Sequence, residues 1–90
     1  MNECDNARTV WKFAAIVQKE EPMEKMLMIV RKHKNGVNKR KLVTILMKRG
    51  YREKVIGQLT YLGLIAESND GGSFYSITEK GCKVLVACGH

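Results

Sequence analysis

The sequence predicts an α+β fold: a helical core with a two-stranded β wing, plus an N-terminal helix. Three observations carry this. A lysine- and arginine-rich helical stretch beyond Val37 leads through a glycine turn to a second amphipathic stretch that stops at Gly63. Two short alternating stretches follow, joined by Asp70-Gly71-Gly72. A last helical stretch then opens at Thr78. Ninety residues make one small core, which is marginally stable alone, so help from a partner subunit fits the length. Residues 1–21 read as an N-terminal helical extension and residues 22–90 as the main domain.

Val10, Phe13, Ala14 and Val17 recur at helical spacing, with Asp5 or Asn6 available to accept from the first free amides. This predicts a first helix from about Ala7 to Lys19. Trp11 and Ala15 widen its apolar surface beyond what a small core requires. Two readings stay open: Val10, Trp11, Ala14 and Val17 form a dimerisation face, or the helix packs on its own domain.

Pro22 suits the first turn of a helix, where its missing amide costs nothing, so a second helix starts there. Met23, Met26, Leu27 and Val30 make its inner stripe, and Asn35-Gly36 stops it. Asn38 is a good N-cap for a third helix over about Lys39 to Arg49, with Leu42, Ile45 and Leu46 inward until Gly50. A fourth helix runs from Tyr51 or Arg52 to Leu62. Val55, Ile56, Leu59 and Leu62 face inward on it, leaving Lys54, Gly57, Gln58 and Tyr61 outward. Glycine in a helix interior costs about 1 kcal/mol relative to alanine, so Gly57 points to close approach by DNA or by another helix.

Leu64 to Ser68 pairs with Ser73 to Thr78 across Asn69-Asp70-Gly71-Gly72, whose residues tolerate positive φ. Tyr75 and Ile77 share one face of the second strand. Thr78 caps a final helix from about Glu79 to Ala87, with Cys82, Leu85 and Val86 inward. Gly89-His90 should fray.

The net charge of +7 is unevenly spread. Ten of the sixteen basic residues lie between Arg31 and Lys54, where Glu53 is the only acid, and the rest of the chain is slightly acidic. Such a block fits a polyanionic partner, because neutralising phosphates releases condensed counterions. The same block also fits a solvated face that keeps the chain soluble. Lys39-Arg40-Lys41 places three cations at the positive end of a helix dipole, which stability does not explain. Either a phosphate sits there or the side chains point into water.

No apolar run approaches the roughly 18 residues of a membrane span, and the N-terminus lacks a signal-peptide pattern. These features predict an intracellular, cytoplasmic protein. Cys4, Cys82 and Cys88 form no CxxC pair and read as free thiols; the other reading joins two chains through Cys4 or Cys88. His33 and His90 have no zinc-ligand spacing to cysteine. With no phosphate loop, nucleophile elbow or apolar-set carboxylate pair, the sequence predicts no enzyme, cofactor or metal site, and no small-molecule ligand is evident in it.

At Tyr61-Leu62-Gly63-Leu64-Ile65, followed by Tyr75-Ser76-Ile77-Thr78-Glu79-Lys80-Gly81, the chain resembles the winged helix-turn-helix transcription regulators. It looks most like small archaeal or archaeal-virus members related to the MarR and PadR groups, whose viral members work in the host cytoplasm. The likeness covers about Met23 to Val86. It implies a recognition helix at Arg52 to Leu62, a supporting helix at Lys39 to Arg49, and commonly a homodimer built from terminal helices. The family often carries a cation near the wing tip, whereas this tip has Asn69, Asp70, Gly71, Gly72 and Ser73. Minor-groove insertion is therefore not expected, although backbone amides, Asn69 or Ser73 can still touch phosphate.

Together these features predict a sequence-specific, double-stranded DNA-binding regulator acting as a homodimer. Lys54, Gly57, Gln58 and Tyr61 are the candidate base contacts. Lys39, Arg40, Lys41, Lys48, Arg49 and Arg52 are the candidate phosphate contacts. Asn69, Gly71, Gly72 and Ser73 make the wing. The alternative is a winged-helix module that meets an acidic protein or structured RNA.

Overall fold

Helical periodicity and caps set the order of elements in the computed structural model, which describes the backbone of residues 3–68 and 74–90 and the side chains among them from residue 9 on. In chain order these are α1 (Glu3–Lys19), α2 (Glu21–Lys32), β1 (Val37–Asn38), α3 (Lys39–Lys48), α4 (Lys54–Tyr61), β2 (Ile65–Ser68), β3 (Phe74–Ile77) and α5 (Glu79–Ala87). The fold is α+β, with one three-stranded antiparallel sheet in the order β1-β3-β2. The expected wing-tip residues Asn69, Gly71, Gly72 and Ser73 lie outside the described residues.

The α1 helix begins at Glu3, earlier than expected, with Asp5 and Asn6 inside it rather than capping it. Ala14 and Val17 are buried in the same core as the other helices, with Val10 and Phe13 packed against it. The α1 helix thus contributes to the core. After a break at Glu20, α2 restarts with Pro22 in its first turn and buries Met23, Met26, Leu27 and Val30. Burying such side chains contributes roughly 1.5–3 kcal/mol each before entropy is counted. That stripe lies at the centre, packed against α1, α4, α5 and β3.

The two-residue β1 strand was not expected: it adds a third strand beside the expected β2–β3 pair. Val37 pairs with Tyr75 and Asn38 with Phe74, which makes β3 the central strand. On the other side β3 pairs with β2 in a register that sets Ile65 opposite Ile77 and Ser68 opposite Phe74. Val37, Ile65 and Tyr75 are buried toward the helices. Asn38 then caps α3, its Oδ1 accepting from the Arg40 amide at 2.7 Å.

The α4 helix leaves through Gly63 at φ 76°, the left-handed conformation that lets the Leu64 amide bond back to the Leu59 carbonyl at 3.0 Å. Thr78 caps α5 by accepting from the Gly81 amide at 3.0 Å. The buried face of α5 is Gly81, Val84 and Leu85. Val86, expected inward, is 68% exposed, and Cys82 is only half-buried. The expected fraying of Gly89-His90 also gives way. The His90 amide bonds to the Leu85 carbonyl at 2.9 Å, its Nε2 lies 2.7 Å from Glu24 Oε2, and Arg31 donates to its carbonyl at 3.1 Å.

Among the described residues no helix is long and apolar enough to cross a membrane.

Candidate nucleic-acid interface

The short α4 helix is amphipathic by the spacing of its apolar residues. Val55 and Ile56 are 4% exposed and Leu59 fully buried, so the remaining positions face out. Lys54, Gly57, Gln58 and Tyr61 are all exposed, and Tyr61 most of all, at 89%. The helix starts later than expected, at Lys54, because residues 51–53 form the turn that leads in. There the Val55 amide bonds to the Arg52 carbonyl and the Ile56 amide to the Glu53 carbonyl. Leu62, expected to face inward, is half-buried at the C-cap.

The exposed row Lys54, Gly57 and Tyr61 forms a ridge between two open grooves. On the sheet side, a groove of about 620 Å³ brings Lys39 from α3 and Tyr75 from β3 next to Glu53, Gly57 and Thr60. On the other side, a groove of about 530 Å³ sets Ile16, Glu20 and Met23 opposite Gln58, Tyr61 and Leu62. Nothing lies within 4 Å of the position a β-carbon would take on Gly57. Among the described residues no other helix packs on that glycine.

Seven cations around α3 and α4 are exposed: Lys39, Arg40, Lys41, Lys48, Arg49, Arg52 and Lys54. Among the described residues none has a carboxylate within ion-pair distance; the ion pairs found there are Lys83–Glu79 and His90–Glu24. Lys39 and Lys54 share the sheet-side groove, and Arg40 lines a neighbouring hollow with Asn38, Lys39 and Thr44. Lys41, Lys48, Arg49 and Arg52 line neither groove beside α4. They stand on the flanks of α3 and in the turn before α4.

Tyr75 lines the sheet-side groove and is 5% exposed. Burial raises its phenol above the usual value of 10.0; the Glu67 carboxylate adds to this, Lys39 works against it, and Glu53 adds again. Thr60, whose hydroxyl donates to the Ile56 carbonyl at 2.8 Å, and Glu53 belong to this groove, and the sequence reading missed both. The signal for both was their place on the wheel: Glu53, Gly57 and Thr60 follow at i, i+4 and i+7, one row of a helix surface.

The expected dimerisation set divides. Ala14 and Val17 are 2% and 0% exposed, so their side chains are covered by the chain's own core instead of being open to a second copy. Val10 is half-buried, while Trp11 is 65% and Ile16 41% exposed. Of the cysteines with described side chains, Cys88 points its thiol at the Ala14 carbonyl, 3.6 Å away. Burial raises its pKa above the usual 9.0, with Glu24 adding to the rise, so the unreactive thiol form dominates at neutral pH.

Compared with models of protein families, with curated proteins and with solved structures, the chain finds no match.

Proposed function

We propose that this protein is a winged helix-turn-helix regulator that binds double-stranded DNA sequence-specifically as a homodimer. The order α2, β1, α3, α4, β2, β3, with β3 central in the sheet, supports the winged-helix reading. In it, α3 supports, α4 enters the major groove, and the β2–β3 hairpin is the wing.

The observation that carries the function is the bare outer face of α4. It offers an ammonium, an amide, a phenol and a glycine with open space above it, beside cations with no carboxylate within ion-pair distance among the described residues. Gln58 suits adenine, Lys54 suits guanine, and Gly57 lets the backbone come close. Lys39, Arg40, Lys41, Lys48, Arg49 and Arg52 supply phosphate contacts that fix the register. A second protomer covers Trp11 and sets two copies of α4 about 34 Å apart, one helical turn.

The test is selection of bound duplexes from a random pool, followed by competition. A regulator should prefer its selected duplex over random duplex by roughly 10³ or more. One observation favours a second reading: Met47 is 69% exposed and Tyr61 borders the groove floored by Ile16 and Met23, which suits a protein-binding module. No duplex preference in the competition would select that reading.

A further inference from the structure

We infer that Glu53 is a specificity determinant that accepts a hydrogen bond from a cytosine amino group in the major groove. This rests on the DNA-binding reading above. Glu53 is the only acid between Arg31 and Lys54, a stretch with ten basic residues. It is exposed at the N-cap of α4, yet its side chain makes no cap bond. Nor does it reach a cation at ion-pair distance among the described residues. Its main-chain carbonyl accepts from the Ile56 amide at 3.1 Å, and among the described residues its carboxylate makes no hydrogen bond or ion pair. Glu53 lines the sheet-side groove together with Tyr75, whose phenol its charge affects.

A carboxylate brought toward a duplex is repelled by the phosphates, so it lowers affinity for every sequence unless a base donates to it. In the major groove only cytosine N4 and adenine N6 donate. Adenine sets its N7 acceptor beside that donor and repels the second carboxylate oxygen, whereas cytosine does not. Glu53 and Gly57 stand one turn apart on the same row, so the glycine that lets a base edge approach also brings it within reach of the acid. Lys39 and Lys54, in the same groove, balance the phosphate repulsion on either side.

The test compares Glu53→Ala and Glu53→Gln with the wild type by fluorescence anisotropy, using the selected duplex and single-pair variants of it. Wild type should lose about tenfold or more when one particular C·G pair becomes T·A. Glu53→Ala should lose less than about threefold at that pair, and should bind random duplex several-fold more tightly. Glu53→Gln should move the preference there toward adenine, which a glutamine amide matches. The inference is overturned if both variants keep the wild-type base preference at every pair while gaining affinity for all duplexes equally; the acid then only repels phosphate. If wild type itself discriminates among no duplexes, the DNA-binding reading fails, and that result is read from wild type alone.

Discussion

The hydroxyl of Thr78 donates to the carbonyl of Gly63 at 2.7 Å and lies 3.0 Å from that of Leu64, tying the exit of α4 to the entry of α5. The same oxygen accepts from the Gly81 amide, and the Thr78 amide bonds to the Leu64 carbonyl at 3.0 Å. One side chain thus serves two helix termini.

Thr78→Val keeps the shape and removes the hydroxyl. It leaves the Gly63 carbonyl and the Gly81 amide without that partner, so unfolding in urea should show a loss of about 1–3 kcal/mol. An unchanged midpoint would mean that water replaces the hydroxyl without cost.

Two glycine-to-alanine changes in helices should act with opposite sign. At Gly81 a β-carbon would run into the Leu64 carbonyl oxygen and stand 2.8 Å from Ile77 Cγ1, so Gly81→Ala should destabilise by about 1–3 kcal/mol despite alanine's better helix propensity. At Gly57 there is open space, so Gly57→Ala should stabilise by about 0.5–1 kcal/mol. Thermal unfolding of the two variants side by side checks both signs. Under the proposed function, Gly57→Ala should also bind its duplex more weakly while being the more stable protein.

On α5, Val84 is fully buried and Val86 is 68% exposed. Val84→Ala should cost about 2 kcal/mol from lost burial and the cavity left behind. Val86→Ala should stay within about 0.5 kcal/mol of wild type by the same unfolding measurement. Equal effects would place both valines against other surfaces.

Tyr75 and Cys88 both have pKa values raised in the fold, chiefly by burial, from 10.0 and 9.0. As pH rises through those values the unfolded chain releases these protons first, so it binds fewer protons than the native state and stability falls. Below pH 9 both groups are protonated in either state and contribute fully. Urea titrations should therefore show stability falling from about pH 9 upward, and the slope should flatten in Tyr75→Phe with Cys88→Ala.

Much of this architecture was legible in the residues. The α2 stripe, the inward and outward faces of α4, and the caps Asn38 and Thr78 follow from spacing and from side chains that bond only at helix starts. The β1 strand was not legible, since two residues carry no alternation and Val37 becomes a strand only by pairing with Tyr75. Nor was the choice between Val84 and Val86. They lie about 200° apart on a helix, so only one can face in, and the docking of Gly81 on Leu64 decides which. Gly81 has no side chain to enter an apolar pattern, so the row Gly81, Val84, Leu85 was hidden. At the candidate site, the exposure of Lys54, Gln58 and Tyr61 followed from periodicity. The grooves on either side did not, because Lys39, Tyr75, Ile16 and Glu20 reach them from distant parts of the chain.

Base preference in Gln58→Ala and Tyr61→Ala decides whether the outer face of α4 reads a duplex. Anisotropy titrations against the selected duplex and its single-pair variants should show each substitution costing about 1–3 kcal/mol on the selected site and relaxing preference at defined pairs, with random-duplex binding little changed. Full wild-type preference in both variants would contradict the claim.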